Sequence, residues 1–278
     1  MAAIEKNHEY HMVEPSPWPF VMSAAIFIMA VGAIFWMQNW TPWVFAIGTA
    51  GVLYTMYAWW SDVVKEAENG VDHTPVVVMH HRYGMILFIA SEVMVFAGVF
   101  WAYFDGFFRY DDIEQYARVA ATGGHWPPTG IELFDPFHLP LFNTLLLLTS
   151  GTTVTWAHHA LLEGDRKGLK WGLALTVALG VVFTYVQYLE YSHAGFSFTG
   201  NMYGSTFVAA TGLHGFHVIV GTVFLAVCLL RAMKGHFTPQ RHLGFEFAAW
   251  YWHFVDVVWL FLFATIYIWG AWGVALSH

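Results

Sequence analysis

Hydrophobic residues in this sequence come in long blocks rather than in short alternation. Seven blocks stand out, at 18–37, 42–64, 83–104, 139–161, 169–191, 203–230 and 245–269. A bilayer core is spanned by about 20 apolar residues in helical form. The alternating segments of about ten residues that mark a membrane barrel are absent. The pattern therefore predicts an all-α polytopic membrane protein with seven transmembrane helices. Trp18 and Trp36 bracket the first block, and Trp43 with Trp59–Trp60 brackets the second, as aromatic belts at the two interfaces require. Pro42 and Pro140 fall in predicted first turns, where a missing N–H leaves no bond unmade. The one long connection, 105–138, places Asp111, Asp112 and Glu114 at the start of a predicted surface helix over 113–121. Gly123–Gly124 and Pro127–Pro128 then break it.

Composition narrows the class further. Residues of the set AVILMFWYC make up 58% of the 278, and charged residues only 11%. Soluble domains carry about 25% charge, so a soluble enzyme, a disordered chain and a nucleic-acid binder are excluded. The net charge of −8 also disfavours phosphate-rich partners. Cys228 is the single cysteine, which excludes an intrachain disulfide and a thiolate metal site. The tail 1–17 is polar and lacks the basic and apolar regions of a secretory signal, so the first block reads as a retained span. Orientation follows from basic residues. Lys6, Lys65, Arg82, Arg166, Lys167, Lys170, Arg231, Lys234 and Arg241 share the N-terminal side, against Arg109 and Arg118 on the other. Nine against two predicts a cytoplasmic N-terminus and an external His278.

Ionisable residues within a bilayer cost roughly 2.5–3.5 kcal/mol on insertion scales and are candidate functional groups. Glu92 lies mid-way along the third block and is expected to be neutral or paired, as a proton-handling or lipid-contacting carboxyl or as a packing contact. His253 and Asp256, three apart in the last block, share a helical face and read as a buried structural pair or as a short proton relay. His214 and His217 have the same spacing among glycines of the sixth block. A metal centre is not expected. Glu190-x-x-His193 is a lone motif where a di-iron site needs two such motifs and two further glutamates. His158 and His159 point about 100° apart on a helix of 3.6 residues per turn. Basic and aromatic residues at block ends, notably Arg82 and Arg231, suit phospholipid headgroups.

Several stretches carry a family likeness. HTPVV at 73–77, RYGMILFIASEVMVF at 82–96, FDPFHLPLFNTLLLLTSG at 134–151 and TWAHHAL at 155–161 resemble subunit III of cytochrome c oxidase. So do EYSHAGF at 190–196, ATGLHGFHVIVGT at 210–222 and GFEFAAWYWHFVDVVWLFLFATIYIWG at 244–270. The length and short tail are similar to the bacterial, haem aa3 type, set in the plasma membrane.

The resemblance implies two bundles, helices 1–2 (18–64) and helices 3–7 (83–278), joined by a cytoplasmic linker at 65–82 and separated by a V-shaped cleft filled with phospholipid. It implies no catalytic residue and no redox cofactor in this chain. Haem a, haem a3 and copper would lie in subunits I and II, with cytochrome c as donor to the complex. Lipid-contacting positions would be Trp59, Trp60, His73, Arg82, Glu92 and Arg231. The role implied is support of proton uptake into subunit I and protection of the catalytic centre during turnover. Gly98, Asp105 and the acidic outer loop depart from the pattern, and such a surface would suit a basic electron donor. A stand-alone proton-coupled transporter using Glu92, His253 and Asp256 is the alternative from another class. The midplane helix breaks and internal repeats of that class are not evident.

Overall fold

The computed structural model describes residues 8–128, 130–272 and the backbone of 276–277. Residues 1–7 of the tail and the terminal His278 lie outside the described residues. Two compact units make up the chain, Met1–Tyr83 and Gly84–His278.

The first unit holds α1 (Trp18–Met37), α2 (Trp43–Asn69) and the opening turns of α3 (Pro75–Phe108). A side-chain carbon added at Gly32 would run into the backbone of Phe45, and one at Gly48 into that of Met29. Glycine at both positions lets the two backbones touch, the small-residue contact that joins helices in lipid. Trp18 Nε1 donates to Asp62 Oδ2 at 2.7 Å, and Lys65 Nζ donates to Asp62 Oδ1 at 2.8 Å. α2 ends at Gly70, whose φ of 74° is left-handed, and Asn69 Oδ1 accepts from Val71 N at 2.9 Å. Residues 9–11 lie against the following turn. Thr74 Oγ1 donates to Glu9 O at 2.6 Å, Tyr10 stacks on His80 at 6.0 Å, and His11 Nδ1 is 3.2 Å from Asp72 Oδ1.

The second unit contains the rest of α3, a 3₁₀ turn at Ile113–Gln115 and α4 (Tyr116–Thr122). α5 (Leu139–Leu162), α6 (Arg166–Ser192), α7 (Met202–Met233) and α8 (Leu243–Leu262) follow. Asp165 and Asn201 cap α6 and α7 by accepting from Lys167 N and Gly204 N, which satisfies N–H groups no helix can pair. α8 runs into a π-helical stretch, Phe263–Trp269. A two-residue parallel pairing joins β1 (Leu133–Phe134) to β2 (Leu276–Ser277). Trp252, Trp259, Phe183, Phe207 and Phe245 are among the large side chains fully buried in this unit. Trp252 Nε1 donates to Ser150 Oγ at 2.8 Å and Trp259 Nε1 to Thr144 Oγ1 at 2.9 Å. Hydroxyls of α5 thus take up the indole N–H groups that a purely apolar core would leave unpaired.

The expected segments are helical, with shifted boundaries. The linker expected at 65–82 is mostly helix, because α2 continues to Asn69 and α3 starts at Pro75, leaving a turn of 70–74. Helices outlast the hydrocarbon width once their ends are capped, so apolarity alone under-reads them. The surface helix predicted at 113–121 is split between the 3₁₀ turn and α4. Among the described residues, five helices are by length and composition apolar enough to cross a membrane, α1, α3, α6, α7 and the run Leu243–Trp269. α2 and α5 are as long, but Trp, Tyr and Gly dilute the first, and Thr, Ser and His the second.

Candidate functional site

The polar groups of the second unit arise on helices that are otherwise apolar, and Glu92, His214, His217, Asp256 and Glu190 each make a contact with another side chain or a backbone carbonyl. Glu92 on α3 meets His217 on α7, with Oε2 2.9 Å from Nε2. His217 Nδ1 lies 2.8 Å from Leu213 O. A carbonyl oxygen only accepts, so Nδ1 carries a hydrogen. The contact with Glu92 is then either a carboxylic acid donating to a neutral ring or an imidazolium donating to a carboxylate. Phe96, 5.0 Å from the His217 ring, and Tyr251, stacked on it at 6.2 Å, close the surroundings. His214, three residues away, is fully buried and donates through Nε2 to Val255 O at 3.2 Å, so the two histidines of α7 serve different contacts.

His253 departs from the buried position expected of it. Its side chain is 47% exposed, while that of Asp256 is 9% exposed. Residues three apart on a helix are rotated by about 60°, which is enough to put one inside the unit and the other at its edge. The pair lies within α8, with Nδ1 3.5 Å from Asp256 Oδ2, and reaches α5 through Thr155. Thr155 Oγ1 donates to Gly151 O at 2.9 Å, so His253 Nε2 donates to Thr155 Oγ1 at 3.2 Å. Gly151 makes room for this arrangement, since a side-chain carbon there would strike Asp256 Oδ2.

Glu190 belongs to a network that its motif did not suggest. It is 1% exposed. Tyr267 donates to its Oε1 at 2.6 Å and Gln187 Nε2 donates at 3.3 Å, while Asn143 Nδ2 donates to Gln187 Oε1 at 3.3 Å. The π-helical turns at the end of α8 carry Tyr267 into this position, a local widening typical of functional or strained sites. His193 Nδ1 instead donates to Leu189 O at 2.7 Å. Among the described residues no three His, Cys, Asp or Glu side chains are grouped to hold a metal ion.

The lipid candidates divide between the units. Trp59, Trp60, His73 and Arg82 lie in the first, at the end of α2 and the start of α3, with Trp60 and Arg82 exposed. Glu92 and Arg231 lie in the second, and the Arg231 guanidinium sits 4.6 Å above the Phe237 ring. His73 packs on His81 at 5.2 Å. Burial holds the His73 imidazole below its ordinary pKa, and the neighbouring His81 and His11 act in the same direction.

Long apolar helices, joined by side-chain hydrogen bonds such as Glu92–His217 and by hydroxyl contacts, define a multi-pass membrane protein whose polar groups connect helices. The family model for cytochrome c oxidase subunit III matches residues 8–271, and the chain belongs to that family. It is 52% identical over 264 residues to cytochrome c oxidase subunit 3 of Gadus morhua, covering 95% of this chain and 98% of the relative. The corresponding protein of Dugong dugon is 50% identical over 266 residues, covering 96% and 99%. Membership makes the chain one subunit of a multi-subunit oxidase complex. The transporter alternative gains no support, because the match runs along nearly the whole chain.

Proposed function

We propose that this chain is the subunit without redox centres in a proton-pumping cytochrome c oxidase. It packs on subunit I, binds structural phospholipid, supports proton uptake and shields the catalytic centre from inactivation during turnover. Haem a, haem a3 and copper belong to subunits I and II, and cytochrome c is the donor. Seven spans form bundles of two and five around a lipid-filled cleft, with Trp59, Trp60, His73, Arg82, Glu92 and Arg231 facing lipid. The N-terminus is cytoplasmic and the far end external, a reading supported by nine basic residues against two. On this reading the complex is an oxidase of the haem aa3 type set in a bacterial plasma membrane.

The observation that carries the proposal is the match over residues 8–271. The Glu92–His217 hydrogen bond agrees with it, because a contact that joins two apolar helices needs neither metal nor substrate. The test is purification of the tagged chain from its own membranes. The expected product contains haem-bearing partner chains, a visible haem a spectrum and stoichiometric phospholipid. Isolation of an intact chain alone, without haem, would refute the proposal.

A further inference from the structure

The tail that precedes α1 is tied down where α2 ends and α3 begins, all within the first unit. Thr74 Oγ1 in the turn donates to Glu9 O, and Tyr10 stacks on His80 of α3 with the ring planes 6° apart. His11 stands between two carboxyl groups. Asp72 Oδ1 of the turn lies 3.2 Å from its Nδ1, and Glu66 Oε2 of α2 lies 3.8 Å from its Nε2. The His11 and Asp72 side chains are each only 16% exposed. The other titratable groups near His11 are His73 of the turn and His81 of α3, which pack ring to ring at 5.2 Å. Residues 9–11 thus bridge α2, the turn and α3.

A carboxylate oxygen only accepts, so a ring nitrogen that faces one needs a hydrogen. A neutral imidazole has a hydrogen on one nitrogen and turns a lone pair outward from the other. Between Asp72 and Glu66, that lone pair points at a negative oxygen. The imidazolium donates from both nitrogens and is drawn to both carboxylates. We propose that the tail is a pH-operated strap across the α2–α3 turn, with His11 as its latch: a proton on the ring fastens the tail to Asp72 and Glu66, and its loss loosens it. The docked tail holds this proton more strongly than the free tail does, so docking is strongest on the acid side and weakens as pH rises. His73 and His81 oppose the latch only when they are themselves charged, and burial keeps His73 neutral through the first part of an acid titration. The strap therefore fastens as pH falls from about 8 to about 6.5. It loosens again at lower pH, when His73 takes up a proton and repels His11. This device goes beyond the subunit role proposed above and does not depend on it.

The test uses the full-length chain, in the complex in which it is purified from membranes, with a nitroxide label on Glu9→Cys. That substitution keeps the backbone carbonyl to which Thr74 donates. Cys228 is buried, and the parental chain carried through the same labelling supplies the background. The ratio of immobile to mobile label is expected to rise about two- to fivefold as pH falls from about 8 to about 6.5, the range of a partly exposed ion pair. His11→Gln is expected to leave the label mobile throughout this interval. His11→Lys, which keeps a positive charge, is expected to hold it immobile at both ends. A parental ratio that does not change with pH overturns the inference. A rise that persists in His11→Gln overturns it as well, because another group would then be the latch.

Discussion

Glu92 Oε2 and His217 Nε2 stand 2.9 Å apart, while His217 Nδ1 gives its hydrogen to Leu213 O at 2.8 Å. A residue that looks unpartnered in the sequence is half of a hydrogen-bonded couple joining α3 to α7.

Glu92→Gln should keep this contact, because an amide N–H can donate to the same ring nitrogen. Glu92→Leu should lower stability by about 1–3 kcal/mol, the cost of leaving a buried polar atom unpaired. Thermal unfolding of the detergent-solubilised complex distinguishes the two. Equal losses in both variants would show that the hydrogen bond is not what matters.

The Tyr267 hydroxyl donates to a glutamate that is almost wholly enclosed. Tyr267→Phe removes that donor and nothing else of size. The expected loss is about 1–2 kcal/mol, or about 2–8 °C in Tm for a unit of this length. An unchanged Tm would mean that another group takes over the bond.

Gly151→Ala places a methyl group on Asp256 Oδ2. Overpacking of this kind costs about 1–3 kcal/mol. The loss should shrink when Asp256→Ser is added, because the clash is with that side chain. A double-mutant cycle measures the coupling, and strictly additive losses would contradict the collision.

His73 provides the pH prediction. Its lowered pKa means that the folded chain binds fewer protons there than the unfolded chain. Stability therefore rises with pH across this interval, and falls as pH drops from the usual imidazole value of about 6.5 toward the lower folded one. His73→Gln should flatten the Tm profile between pH 7.5 and 5.5. A profile as steep as that of the parent would exclude His73 as a source.

Replacing Trp59 or Arg82 by Ala should release phospholipid and shorten the working lifetime of the oxidase more than it lowers initial turnover. Lipid analysis beside timed oxygen consumption checks this, and parental lifetimes with parental lipid content would remove the lipid assignment.

Much of the helical plan was legible from apolar block length, because a bilayer leaves a helix little alternative for its backbone polar groups. Glu92 and Asp256 were legible as costly residues for the same reason. Their partners were not. Nothing in the spacing of Glu92 and His217, which lie 125 residues apart, says that α3 and α7 meet. Nor does the Glu190 motif reveal that a π-helical stretch will deliver Tyr267 to it.

The sequence by itself determined the class of solvent this chain lives in and the axes along which it is helical, since both depend on local composition. Only the tertiary structure decided which polar groups meet across helices, which accept an indole N–H, and that His253 stands at the edge of its unit. Those outcomes depend on helix rotation and on close approaches such as that at Gly151, which are set by packing among distant segments.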